Sequence, residues 1–83
     1  MAKRDRPTVL RHGPYRFYSY SNDADEPVHV HVERDAGAAK FWVDPVRVQR
    51  SGGFARSEIL RITRLVREHR EQIMEAWDDY FGA

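Results

Sequence analysis

In the stretch EPVHVHVERD, residues 26–35, His29, His31 and Glu33 alternate with Val28, Val30 and Val32. A period of two puts all three titratable side chains on one side of a β-strand. Three kinds of chemistry suit that row. Two imidazoles about 7 Å apart at Cα could share a metal ion, with Glu33 or Asp44 as a third ligand. A linear row of ligands along one strand closes a tetrahedron poorly, however, so no metal is expected. A second possibility is acid–base work, because an imidazole titrates near neutral pH and Asp44 could orient one tautomer. With Arg11, Arg16 and Lys40 to stabilise a phosphate, His29 and His31 could cleave RNA without a metal. The catalytic candidates are then His29, His31, Arg16 and Lys40. The third reading makes both histidines sheet-face contacts, cross-strand partners of Trp42 and Asp44. No serine or cysteine nucleophile motif and no Gly-rich phosphate loop is present, and no cofactor is expected.

The elements that would carry these residues follow from patterning. TVLRH (8–12) and YRFYSY (15–20) are rich in β-branched and aromatic residues, and Gly13-Pro14 between them predicts a hairpin turn. SNDADEP (21–27) reads as a polar loop. HVHVER and AKFWVD flank DAGA (35–38), the expected loop of a second hairpin, with its glycine in the turn. Asp44-Pro45 interrupts the fourth strand, since proline cannot donate to a ladder. VRVQR (46–50) is expected as an edge strand, and Ser51-Gly52-Gly53 ends the sheet.

With DAGA as the loop, residues whose numbers sum to 73 face each other. Glu33 then opposes Lys40, His31 opposes Trp42 and His29 opposes Asp44. On the reverse face Val32 opposes Phe41 and Val30 opposes Val43. A slip by two keeps the faces, whereas a slip by one mixes them. Around Gly13-Pro14, Leu10 opposes Phe17 and Arg11 opposes Arg16, two cations that repel unless an anion compensates. The open face is thus expected to carry Arg11, Arg16, Tyr18, Tyr20, His29, His31, Glu33, Lys40, Trp42 and Asp44. Its aromatic and histidine content suits a contact surface better than a merely solvated one.

From Phe54 the period becomes 3.6. Ile59, Ile62, Val66, His69, Ile73, Trp77 and Tyr80 form one apolar stripe, widened by Leu65, Met74 and Phe81. The pattern predicts one long C-terminal helix over 54–81, stopped at Gly82, lying across the sheet with His69 on its core face. Part of the stripe is also a candidate interface. Arginines crowd the first half of this helix and carboxylates the second, against the macrodipole.

The expected fold class is therefore α+β: an antiparallel sheet of four to five strands with one long helix on one face. At 83 residues the chain is one domain, comprising a basic arm (1–7), a sheet (8–50) and a helix (54–81). Such a domain buries only about 60% of its unfolded surface, so a partner or self-association would add stability. There is no cysteine, which excludes disulfides and thiolate metal sites. The 14 basic and 13 acidic residues give a net charge of +1, too mild to announce nucleic-acid binding by itself. With no signal-peptide h-region and no apolar run of about 20 residues, the expectation is a cytoplasmic protein away from membranes.

The string PTVLR…G-x-YRF…YS…EP-x-HVHVER…AKFWVDPVR…GF…VREHR…AW…YFG resembles the domain of unknown function 4160 family, from Pro7 to Gly82. EP-x-HVHV and KFWVDPVR are its most specific parts. Members of that family are small prokaryotic proteins, often encoded beside a domain of unknown function 2442 protein. They are classed on that arrangement as type II toxin–antitoxin components, usually the toxin. The resemblance implies a protein partner encoded nearby, and RNA or translation as target, without assigning catalytic residues. Where such sequences tend to place a serine after the Gly-Phe that starts the helix, this chain has Ala55, which moves an N-cap serine to Ser57 or removes it. Two functions follow as expectations. One is a small ribonuclease toxin, and the other a non-catalytic module that docks its partner through the same face.

Overall fold

The computed structural model describes residues 8–20 and 23–82. Five strands, β1 (Thr8–His12), β2 (Tyr15–Tyr18), β3 (His29–Arg34), β4 (Gly37–Val43) and β5 (Val46–Gly52), precede two helices, α1 (Arg56–Glu68) and α2 (Arg70–Phe81). The strands form one antiparallel sheet in chain order, β1-β2-β3-β4-β5. The fold is α+β, with the sheet at the upper end of the expected strand count. The arm over 1–7 and Ser21-Asn22 of the polar loop lie outside the described residues, while Asp23–Asp25 form one 3-10 turn.

The first hairpin has the expected register, with Leu10 opposite Phe17 and Arg11 opposite Arg16. The central hairpin is shifted by two from the expected register. His29 opposes Trp42, His31 opposes Lys40, Glu33 opposes Ala38, and Val30 opposes Phe41. The reason is a two-residue turn at Asp35-Ala36, with Asp35 at φ 53°, in place of a DAGA loop. Aspartate is among the few non-glycine residues that tolerate the left-handed region. Gly37 is thereby released from the turn and joins the ladder opposite Arg34, where it has a different task. A Cβ there would stand 2.7 Å from the Phe54 ring, so only glycine lets Phe54 close over the strand. Because the slip is even, every side chain keeps its expected face.

The apolar face forms the core. Phe17, Val30, Val32, Phe41 and Val43 meet Ile62, Leu65, Val66 and Ile73 from the helices, with Tyr15 and Ala39 filling between. Each fully buried Phe, Val or Ile side chain contributes roughly 1.5–3 kcal/mol of transfer free energy. Leu10, Ile59 and Met74 pack at the margin.

The expected single helix is two. A straight helix over 54–81 would be ~42 Å long, more than the molecule's longest dimension of 35 Å. The chain therefore turns at His69, whose φ of −107° and ψ of 18° interrupt the helical geometry. α1 packs on β4 and β5, and α2 crosses to β1. Arg70, the first residue after the turn, fixes the new direction by donating to the Val43 carbonyl at 3.1 Å and to Asp44 at 2.8 Å. His69 is accordingly not on a continuous core stripe. It sits half-buried at the bend, its ring 5.6 Å from that of His12. α1 begins at Arg56 after Ala55, whose side chain makes no cap, so the Glu58 and Ile59 amides bond the Ala55 carbonyl. Gly82 stops α2 as expected, in the left-handed conformation with its amide on the Asp78 carbonyl.

One polar network ties α1 to the sheet. The Glu58 carboxylate accepts from Arg34 Nε at 2.7 Å, from the same guanidinium's terminal nitrogen at 2.8 Å, and from the Tyr15 hydroxyl at 2.8 Å. The hydrogen bonds from Arg34 and then Tyr15 hold the Glu58 carboxyl below its ordinary value, and those to Glu58 raise that of Arg34. A carboxylate in the first turn of α1 also suits the positive end of the helix dipole.

Candidate functional site

The face of the sheet away from the valines carries Arg11, Arg16, Tyr18, His29, His31, Glu33, Lys40 and Trp42, with Tyr20 packed on His31 just beyond β2. Asp44, in contrast, lies in the turn after β4 and pairs with Arg70 of α2. The face is not a row of solvated side chains. Alternation on β2, β3 and β4 aims Tyr18, His31, His29, Lys40 and Trp42 to one side, and the register makes neighbours of Tyr18 and His31, His31 and Lys40, and His29 and Trp42. The rings then pack in a column. Tyr18 stacks on His31 at 5.4 Å between centroids, and Tyr20 meets His31 edge-on at 4.8 Å. His31 meets His29 at 5.1 Å, and His29 meets Trp42 at 5.8 Å. Trp77 of α2 closes the column, its ring 5.1 Å from that of His29.

This packing separates the two histidines. His29 is 0% exposed, enclosed by His31, Trp42 and Trp77. Its Nδ1 lies 2.9 Å from the Pro27 carbonyl. A carbonyl only accepts, so Nδ1 carries the proton and the tautomer is set. His31 is 7% exposed and sits between the tyrosines at the rim of a concavity.

The cations divide as well. Arg16 donates to Glu33 at 2.9 Å and to the Thr8 hydroxyl at 2.9 Å, and its guanidinium lies over the Tyr18 ring. Glu33 is therefore the anion that relieves the facing Arg11 and Arg16. Lys40 bonds Glu26 and lies 4.9 Å from the Trp42 ring centre. Glu26 Oε1 is also 3.8 Å from His29 Nδ1. Arg11 is exposed at the far strand, and Asp44 is drawn away to Arg70 rather than to a histidine.

Next to this column the face sinks into a concavity of about 460 Å³, bordered by Tyr18, Tyr20, His31, Lys40 and Arg50. Its floor is low because Ala38 and Gly52, paired across β4 and β5, bring no large side chain to that face. Arg50 opposes Lys40, so two cations stand side by side at the border. Among the described residues no carboxylate comes within ion-pair distance of Arg50, whose guanidinium bonds the neighbouring Gln49 side chain. A planar aromatic border with an available guanidinium can stack a flat ring and bind an anion on it. Among the described residues no three His, Asp, Glu or Cys side chains are grouped as metal ligands.

Several members of this face escaped the sequence pattern. Arg50 was visible only as an edge-strand residue, because its opposition to Lys40 depends on the bulge at Gln49 that shifts β5 by one. Glu26 belongs to the polar loop, where no periodicity places it against Lys40. Trp77 lies on the helix stripe and reads as core, and only the bend at His69 explains its arrival beside His29.

No helix of the described residues is long and apolar enough to cross a membrane. No curated protein and no solved structure matches the chain. Residues 15–78 match the family model described as Domain of unknown function (DUF4160), an interval that holds the entire ring column, the central hairpin and the bend at His69. The chain belongs to that family.

Proposed function

We propose that this protein is a cytoplasmic component of a prokaryotic toxin–antitoxin-like pair whose sheet face binds single-stranded RNA without cleaving it. The observation that carries the RNA reading is the concavity bordered by Tyr18, Tyr20, His31, Lys40 and Arg50. Bases stack on aromatic rings in a sequence-tolerant way, worth about 1–3 kcal/mol per base, and guanidinium and ammonium groups track the phosphates. Recognition of splayed bases on the open face of an antiparallel sheet is an established mode of RNA binding. The support for the toxin–antitoxin setting is the likeness of EP-x-HVHV and KFWVDPVR to small proteins encoded beside a partner gene.

Binding is favoured over cleavage because a two-histidine mechanism needs both imidazoles within reach of the reacting atoms. His29 is enclosed by rings on three sides, so its role is to brace His31 and Trp42. The test is fluorescence anisotropy with a labelled 12-nucleotide single-stranded RNA, followed by electrophoresis of the same samples. The expected result is intact RNA, with affinity reduced at least tenfold in Arg50→Glu and severalfold in Tyr20→Ala. Shortened RNA would restore the ribonuclease reading. Absence of binding by the wild type would leave docking of a protein partner as the function of the face. Expression of the chain alone and with its neighbouring gene product, scored by growth, tests the paired role.

A further inference from the structure

The outer edge of β5 is a second surface, which meets the RNA-binding face at Arg50, Ser51 and Gly52 and extends beyond it over residues 46–49. Among the described residues β5 pairs only with β4; it runs for seven residues and is exposed from Arg47 to Gly52. The other edge strand, β1, is shorter, at five residues, and α2 packs against it. A long exposed edge is a template for another strand, and proteins usually blunt such edges. Here two features blunt it in part: the bulge at Gln49 and the arginines at 47 and 50.

The side chains along this edge have a definite character. On the helix side, Val48 is 41% exposed, and Leu60 on α1, the helix that packs against β5, is 61% exposed. On the opposite side stand Arg47, across from Trp42, and Arg50, across from Lys40. Among the described residues neither arginine has a carboxylate within ion-pair distance. A second copy of this chain pairing edge to edge would bring these arginines against one another, and like charges across a strand pair are destabilising. The edge therefore selects against itself and in favour of a strand of opposite charge.

We infer that the β5 edge receives an extended segment of a partner protein in which acidic and apolar residues alternate. Main-chain hydrogen bonds extend the sheet by one strand, the apolar side chains cover Val48 and Leu60, and the carboxylates meet Arg47 and Arg50. This is strand addition, in which the backbone supplies affinity and alternate side chains supply selectivity.

The experiment is an NMR titration of the full chain with two capped hexapeptides, EVEVEV and KVKVKV. EVEVEV is expected to shift and protect the amides of residues 46–52, and to bind at least tenfold more tightly than KVKVKV. The double variant Arg47→Glu with Arg50→Glu alters only exposed side chains and is expected to invert the preference. Leu60→Glu is expected to weaken EVEVEV severalfold while leaving the protein folded. Equal binding of the two peptides, no binding of EVEVEV, or shifts confined to Tyr20 and His31 would overturn the inference. So would dimerisation through β5 in sedimentation of the protein alone. A failure of RNA binding leaves this edge untouched, since the peptide is read at residues 46–49, which do not line the concavity, and not at Tyr20, His31 or Arg50.

Discussion

The two faces of one sheet show how the same alternating strands can support two kinds of order. On the helix side, Phe17, Val30, Val32, Phe41 and Val43 are covered by the apolar side chains of α1 and α2, with polar ties only at the margin, from Glu58 and Arg70. On the other side the side chains bury one another. Rings of Tyr18, His31, His29 and Trp42 pack along the strands, the first pair stacked and the others edge-on, with Lys40 and Arg16 laid over the aromatic faces and tied to Glu26 and Glu33. The first face is held by area removed from water and tolerates no void. The second is held by directional contacts, and it stays accessible where the small residues Ala38 and Gly52 let it sink. The difference teaches that a histidine row on a strand can be a structural column whose end, rather than whose centre, meets a ligand.

The largest expected effect lies on the helix side. Phe41, 0% exposed, reaches the centre of the core, so Phe41→Ala is expected to cost about 3–5 kcal/mol in urea unfolding. On the other face, His29→Ala opens the ring column and is expected to cost about 1–3 kcal/mol. RNA affinity per folded molecule should hardly change, because His29 does not border the concavity. If His29→Ala instead leaves stability intact and abolishes an activity, the column is a catalytic centre and the contrast between the faces collapses.

A pH experiment probes the seam between the layers. The Glu58 carboxyl is held below its ordinary value of 4.5 by Arg34 and Tyr15. A depressed folded-state value means the contribution is present above the unfolded value and fades as pH falls through the folded one. Wild-type melting temperature should therefore decline below about pH 4.5 more steeply than that of Glu58→Gln, which carries no titrating group there. Parallel curves would show that the network contributes nothing ionic. The smallest effect belongs to the part-exposed pair Arg16–Glu33, for which a double-mutant cycle should give a coupling of about 0.2–1 kcal/mol.

Periodicity carried most of the architecture and most of the facial sorting, Asp44 excepted, because it leaves β4 for a turn and pairs with Arg70. The strands and their apolar faces follow from HVHVER, AKFWVD and YRFY, since parity survives an even slip in register. The slip itself was invisible, because it depends on Asp35 accepting a left-handed conformation and on Gly37 being needed beneath Phe54. The bend at His69 was equally hidden. The stripe from Ile59 to Tyr80 keeps its period through the break, so the pattern carries no sign of the turn. For the candidate site, the identity of the face was legible, but the burial of His29 was not. That burial comes from Trp77, which arrives by way of the bend.

The central claim is that the histidine face recognises RNA at its concave end while His29 remains a structural ring within it. Chemical-shift mapping of the full chain with an unlabelled single-stranded RNA of about 12 nucleotides tests this most directly. Saturable shifts are expected at Tyr20, His31, Ala38, Lys40 and Arg50, with little change at Val30, Ile62 and Ile73 and no appearance of cleaved RNA. Shifts centred on α1 or α2, or new RNA ends accumulating in the tube, would contradict the claim.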